Sequence, residues 1–229
     1  MMSLINTIFA IVAVFYLVLV VKRDLQMLQQ NSYRNERYKK WLKQNSEYTS
    51  MSRVVCMIMG LLLVSTFAPY KWFLVMKITF IVALISMSMN LLKAKYKHSL
   101  VFTKRVWRLF SAELVLMAIV ALIYSRFEMR AIAFAAIAFS ALSYAITMFT
   151  NWMLKPVEEA INKSFINDAK RILSQMPDMK IVGITGSYGK TSTKHYLERI
   201  LSKHYSVLMT QGSYNTPMGV NRTAREMLK

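Results

Sequence analysis

SLINTIFAIVAVFYLVLVV, residues Ser3 to Val21, is a run of 19 side chains without a charge. At about 1.5 Å per helical residue it reaches roughly 28 Å, close to the thickness of one bilayer hydrocarbon core. It is read as a transmembrane helix. No basic stretch precedes it, Lys22 and Arg23 follow it, and no small-residue cleavage site closes it, so the sequence predicts a retained anchor and not a removed signal.

Working outward, residues 22 to 53 are polar and basic, with eight Lys and Arg against three acids, and Val54 to Pro69 is apolar again. Pro69-Tyr70-Lys71 can turn the chain, and Trp72 to Leu92 makes a third apolar run. A second basic segment (Lys93, Lys95, Lys97, Lys104, Arg105, Arg108) leads to a fourth run, Leu109 to Ser125; the turn Arg126 to Arg130 then leads to a fifth, Ala131 to Leu154. The reading is an α-helical membrane bundle of about five transmembrane helices. The second and fourth runs are short enough to be part of re-entrant hairpins instead.

The two long loops hold fourteen basic residues and the two short turns three. By the positive-inside rule the loops face the cytoplasm, which places the N-terminus outside and everything after Lys155 inside. The expected location is a multi-pass protein of the cell membrane. A net charge of +19 also suggests nucleic acid, but the cations crowd the ends of apolar runs, where anionic lipid headgroups meet them. Membrane lipid, and no nucleic acid, is the expected partner. The single Cys56 lies within an apolar run and is read as a small buried hydrophobe; the eighteen methionines are read as apolar filler. Lys77 and Glu113 fall within runs three and four, close enough to a membrane surface for the side chain to snorkel. His98, His195 and His204 have no metal-like spacing and are read as surface residues.

After Lys155-Pro156 the composition becomes that of a soluble protein. Residues 157 to 175 place Val157, Ile161, Phe165, Ala169 and Ile172 at three- and four-residue steps, which predicts an amphipathic helix leading away from the bilayer. Lys180 to Thr185 (KIVGIT) reads as a buried strand, Gly186 to Gly189 as a tight loop and Lys190 to Lys203 as a helix. Ser206 to Thr210 reads as a second strand, Gln211 to Pro217 as a loop, and Gly219 to Lys229 as the opening of another helix. Strand, glycine loop, helix and strand begin a P-loop α/β domain with a parallel sheet. The expected division is a transmembrane region 1–155, a linker helix 156–179 and the start of an ATP-binding domain 180–229.

Gly186-Ser187-Tyr188-Gly189-Lys190-Thr191, directly after Thr185, has the order that a nucleotide phosphate cradle requires. The glycines let successive N–H groups point at one anion, and the helix adds the positive end of its dipole. Lys190 would reach the β- and γ-phosphates, and the Thr191 hydroxyl would sit on Mg²⁺. The strict pattern G-x-x-x-x-G-K-[ST] fails at its first position, where Ile184 stands.

The run Gly183 to Lys194 (GITGSYGKTSTK) resembles the ATP loop of the Mur ligase family, most closely the branch that adds D-alanyl-D-alanine in peptidoglycan synthesis. The family shares the missing first glycine. A second segment, Gly212 to Val220 (GSYNTPMGV), is similar to the family's asparagine-rich stretch, which would give Asn215 and Thr216 a substrate-binding role; an ordinary Asn-Thr-Pro turn explains them equally well. The resemblance implies ATP and Mg²⁺ as cofactors, held by Thr185, Gly186, Ser187, Tyr188, Gly189, Lys190, Thr191 and Ser192. It implies Lys190 as the catalytic cation and Thr191 as a metal ligand. It also implies a UDP-linked or lipid-linked muramoyl peptide and D-alanyl-D-alanine as substrates, joined through an acyl phosphate. Lys194, a turn beyond Lys190, is expected to matter little.

The resemblance covers residues 180 to 229, and family members usually begin with a soluble UDP-binding domain where this chain has apolar runs. The chain is therefore expected to be an N-terminal fragment of the ligase, inactive alone. Other readings are a poly-glutamate-synthase-like ligase with a polymeric or lipid-linked acceptor, and a P-loop ATPase coupled to a membrane transporter or sensor. The membrane region is read as an anchor or as a platform for other envelope-synthesis proteins.

Overall fold

The computed structural model describes residues 2–47, 50–64, 70–94, 96, 98–125, 129–210 and 217–228. Within them run nine helices: α1 (Met2–Gln30), α2 (Asn35–Gln44), α3 (Met51–Val64), α4 (Tyr70–Lys93), α5 (Lys104–Ser125), α6 (Met129–Met153), α7 (Lys155–Ser174), α8 (Lys190–Leu201) and α9 (Pro217–Met227). The chain divides into two compact units, Met1–Lys155 and Pro156–Lys229.

In the first unit α1 is the central helix and packs against α4, α5 and α6, while α3 lies on α6. Its inner stripe, Phe9, Ala13, Tyr16, Leu17, Val20, Leu25 and Leu28, keeps helical spacing and is buried along its length. The facing stripe of α6 is made of small residues, Ala136, Ser140, Ser143 and Thr147, which let two backbones come close. The Ser140 hydroxyl donates a hydrogen bond to the Ala136 carbonyl at 2.8 Å, so its polarity is satisfied within the helix.

The outward faces are apolar as well. On α4, Val75, Ile78, Val82, Ile85, Met89 and Leu92 form an exposed stripe; on α1, Leu4, Ile8, Ile11 and Phe15 do the same. Water does not tolerate apolar stripes of this length, whereas hydrocarbon does. Two helices, Leu4–Gln30 and Leu74–Lys93, are each long and apolar enough to cross a membrane, and a third qualifies if Ala135–Met153 is joined with Lys155–Ser174. Among the described residues each of the five apolar runs carries a helix, and length and hydropathy there support two or three crossings. α3 has 14 described residues, and α5 opens on Lys104, Arg105 and Arg108. Pro69 and residues 126–128, expected as turns, lie outside the described residues.

Lys77 and Glu113 do not snorkel. Lys77 is 1% exposed and donates to the Asn6 side chain, and Glu113 is 3% exposed beside Ser143 and Leu17. Both point into the bundle, while the outward positions hold the apolar stripe of α4 and, on α5, Val115, Ile119 and Leu122. A buried ion pair joins three helices: Arg53 reaches Asp24 at 3.1 Å and Ser143 Oγ at 3.0 Å, and Ser143 in turn donates to Asp24.

In the second unit, α7 occupies the expected amphipathic stretch, with Ala169 buried. α9 lies on it through Arg225, which donates to Asp168 at 2.6 Å and stacks over Phe165 at 4.6 Å. Among the described residues no strand is present, so neither 180–185 nor 206–210 forms the expected sheet. A parallel strand takes its hydrogen bonds from neighbours on both sides and is covered on both faces. Here Ile181 and Val182 stand 74% and 61% exposed, without that cover.

Candidate functional site

The loop after residue 185 is built by two glycines in conformations that other residues avoid. Gly186 has φ 151° and Gly189 has φ 76°, the latter at the position that starts α8. A Cβ at Gly189 would meet no atom within 4 Å, so the backbone angle, not space, calls for glycine there. Helix α8 then begins with no side chain capping it, and its first turn holds no acid. The leading N–H groups of a helix have no partners within it, so this end is left with donors and a positive dipole facing the loop.

Lys190 bends back over the turn. Its ammonium donates to the Gly186 carbonyl and lies 3.4 Å from that of Ser187. The cation, the uncapped N-terminus and the exposed residues Thr185 to Gly189 are therefore gathered at one point, with Thr191 and Ser192 exposed beside it. Such a cluster can hold a phosphate: the lysine supplies charge, the amides supply direction, and a hydroxyl is near enough to share a bound divalent cation. Among the described residues no group of three or more His, Cys, Asp or Glu side chains converges. Asn215 and Thr216 lie outside the described residues. His98, His195 and His204 are exposed.

Lys194 makes a contact that the sequence did not disclose. It reaches from α8 to the Thr210 carbonyl at 2.6 Å, bridging sixteen residues and fixing the chain just before the segment that contains Asn215. Its spacing after Lys190 gave no sign of this, because the contact is made with another part of the chain. The Asp168 to Arg225 pairing was likewise invisible. The Arg225 hydrogen bond, more than the neighbouring Arg171, holds the Asp168 carboxyl below its ordinary range.

Residues 184–229 match the Mur ligase middle domain. The chain is similar to a UDP-N-acetylmuramoyl-tripeptide--D-alanyl-D-alanine ligase of Synechocystis sp., 43% identical over 47 residues, which are 20% of this chain and 10% of that relative. The chain thus spans about a tenth of the length of this curated relative. No solved structure matches the chain.

Proposed function

We propose that the protein is a membrane-anchored, ATP-dependent amide-bond ligase of peptidoglycan precursor synthesis. The observation that carries this is a coincidence of place. The lysine-bearing glycine loop at the uncapped start of α8 falls inside the stretch, 184–229, that matches a Mur ligase domain.

In this reading Gly186, Gly189 and the first amides of α8 cradle the ATP phosphates, and Lys190 leaves the loop carbonyls to neutralise the phosphate being transferred. Thr191 holds Mg²⁺. ATP would supply the phosphoryl group that activates a carboxylate, with ADP leaving, and the amine would then displace phosphate and lose a proton to form the amide. Asn215 and Thr216 contact the acceptor, for which a muramoyl peptide is the best chemical match, with D-alanyl-D-alanine as the amine. Segments 180–185 and 206–210 become neighbouring strands of a parallel sheet in the complete domain, and Lys194 already ties the second of them to α8.

The apolar unit, divided from the rest at Lys155, serves as the anchor, with residues 1–155 as the membrane region. The two basic loops meet at one end of α1, where Gln26 and Gln30 donate to the His98 carbonyl at 2.6 and 3.0 Å. That arrangement supports a common side for both loops, and their basic residues make the cytoplasm the side we assign to them.

The test is ADP release by the complete membrane protein. Turnover that requires both UDP-linked muramoyl tripeptide and D-alanyl-D-alanine, and that is lost in Lys190→Ala, is the expected result. Turnover with glutamate and a polymeric acceptor instead would move the protein to the poly-glutamate type, and ATP hydrolysis without either acceptor would favour a coupled ATPase.

A further inference from the structure

Where α1 ends, the surface of the first unit changes character. The chain reverses at Ser32 and Tyr33, both left-handed with φ 57° and 56°, and lays α2 against the bundle. Tyr38 and Leu42 are fully buried beneath it. Asn35 donates to the Met148 carbonyl at 2.9 Å, and Asn151 donates to the Tyr33 carbonyl at 3.0 Å and to the Asn35 side chain at 2.7 Å. The helix is therefore fixed in place and not a free basic tail.

With Tyr38 and Leu42 inward, the remaining faces carry cations. Arg34, Arg37, Lys39, Lys40 and Lys43 are exposed, and Glu36 is the lone acid between residues 34 and 44. Among the described residues none of the five is paired with a carboxylate. A charge row held by structure yet left unpaired is suited to an external anion.

Aromatic side chains ring the same end. Phe102 and Trp107 are 43% and 56% exposed with centroids 5.2 Å apart, and Phe110 meets both edge-on. The neighbouring Val101 exchanges two hydrogen bonds with Gln29 of α1, at 2.8 and 3.1 Å, which fixes this cluster at the level where α1 ends. On α6, Phe149 and Trp152 are exposed on either side of Asn151, the residue that holds α2. Exposed tryptophan beside exposed lysine and arginine, directly below outward apolar stripes, is the chemistry of a membrane interface: rings at headgroup depth, cations at the phosphates.

We propose that this belt, the exposed face of α2 together with the Phe102, Trp107 and Trp152 aromatics, is a docking surface for anionic phospholipid headgroups of the phosphatidylglycerol class. The belt lies at the end of outward apolar stripes suited to hydrocarbon, which favours lipid over a protein or a nucleic acid as its occupant. This rests on the membrane reading above and adds to it a depth and a headgroup preference.

The test reconstitutes the complete chain into vesicles of equal phosphatidylglycerol and phosphatidylcholine. The chain is then excised with its surrounding lipid in polymer discs, and the lipid retained is counted by mass spectrometry. Wild type should retain phosphatidylglycerol enriched about twofold or more over the bulk ratio. The triple variant Arg37→Gln, Lys40→Gln, Lys43→Gln should return to the bulk ratio. Those side chains are exposed, so its helicity and elution volume should match wild type. A control, Lys163→Gln with Lys170→Gln on α7, should keep the enrichment. Bulk-ratio lipid around wild type, or enrichment that survives the triple variant, overturns the proposal. A chain that stays in solution when vesicles are pelleted sinks the membrane reading itself, a different and recognisable outcome.

Discussion

Lys190 and Lys194 lie one helical turn apart and do different work. Lys190 is satisfied by carbonyls of its own loop, a contact that a phosphate can replace, so Lys190→Ala in the complete protein should lower ATP affinity or turnover by roughly tenfold or more. Lys194 instead holds the Thr210 carbonyl. Lys194→Ala should leave ATP affinity within about twofold and raise the KM for the acceptor, through the segment after residue 210. Separate titrations of nucleotide and acceptor check this, and equal loss of ATP affinity in both variants would mean that the two roles are not distinct. The buried pair gives a third single-residue expectation. Arg53→Met removes the guanidinium paired with Asp24, which is 1% exposed and retains the Ser143 hydroxyl, so the first unit should lose about 3–5 kcal/mol of stability in detergent. Thermal unfolding in detergent measures it. A change below about 1 kcal/mol would show that the pair is solvated.

At the level of elements, the sequence disclosed what is local and hid what is distant. Ser3 to Val21 was legible as a helix, but α1 continues to Gln30. Lys22, Arg23 and Asp24 end an apolar run, not a helix, and Leu25 and Leu28 go on burying the same stripe beyond them. α2 was hidden within a basic segment, although Tyr38 and Leu42 at four-residue spacing were a usable sign. The glycine loop and the start of α8 were readable, since Gly-Lys-Thr at a helix start is a local pattern. The strands were not, because a strand exists only where a neighbour completes its ladder. The contact of α9 with α7 was beyond reach for the same reason, and it carries a pH expectation. Asp168 has its carboxyl pKa lowered mainly by Arg225, so its contribution is present in full above the ordinary carboxylate range, about pH 4, and is lost as the pH falls through the lowered value. Acid titration followed by the carboxyl carbon resonance of Asp168 and the amides of 217–228 should show α9 loosening at the acid end. In Arg225→Gln the Asp168 midpoint should rise toward its ordinary value, and an unchanged midpoint would count against the pairing.

For the whole molecule the first question is which side of the membrane each loop faces. Gln26, Gln29 and Gln30 of α1 hold residues 98–101, and Asn151 near the end of α6 holds Tyr33 and Asn35, so both basic loops and the exit from α6 share one end of the bundle. Single cysteines at Asn45 and Ser99, in a Cys56→Ser background, should therefore behave alike and be shielded from an impermeant thiol reagent in intact cells, while one at Glu128 should react. Opposite behaviour of the first two would break the arrangement itself, and labelling of both from outside would reverse its orientation. The second question is whether the bundle depends on the residues beyond Lys155. The hydrogen bonds that organise it, Arg53 to Asp24 and Ser143, Lys77 to Asn6, and Asn35 to Met148, all close within residues 1–155, and so does the core stripe from Phe9 to Leu28. A unit whose organising polar contacts and core stripe close within it should fold as a unit. Residues 1–155 expressed alone should thus enter the membrane, run as a single species in detergent and melt within about 5 °C of the corresponding transition in the longer chain. Arg53→Met should lower both transitions by the same amount. A truncated bundle that aggregates, or a variant that shifts only the longer chain, would show that residues after Lys155 hold the helices together.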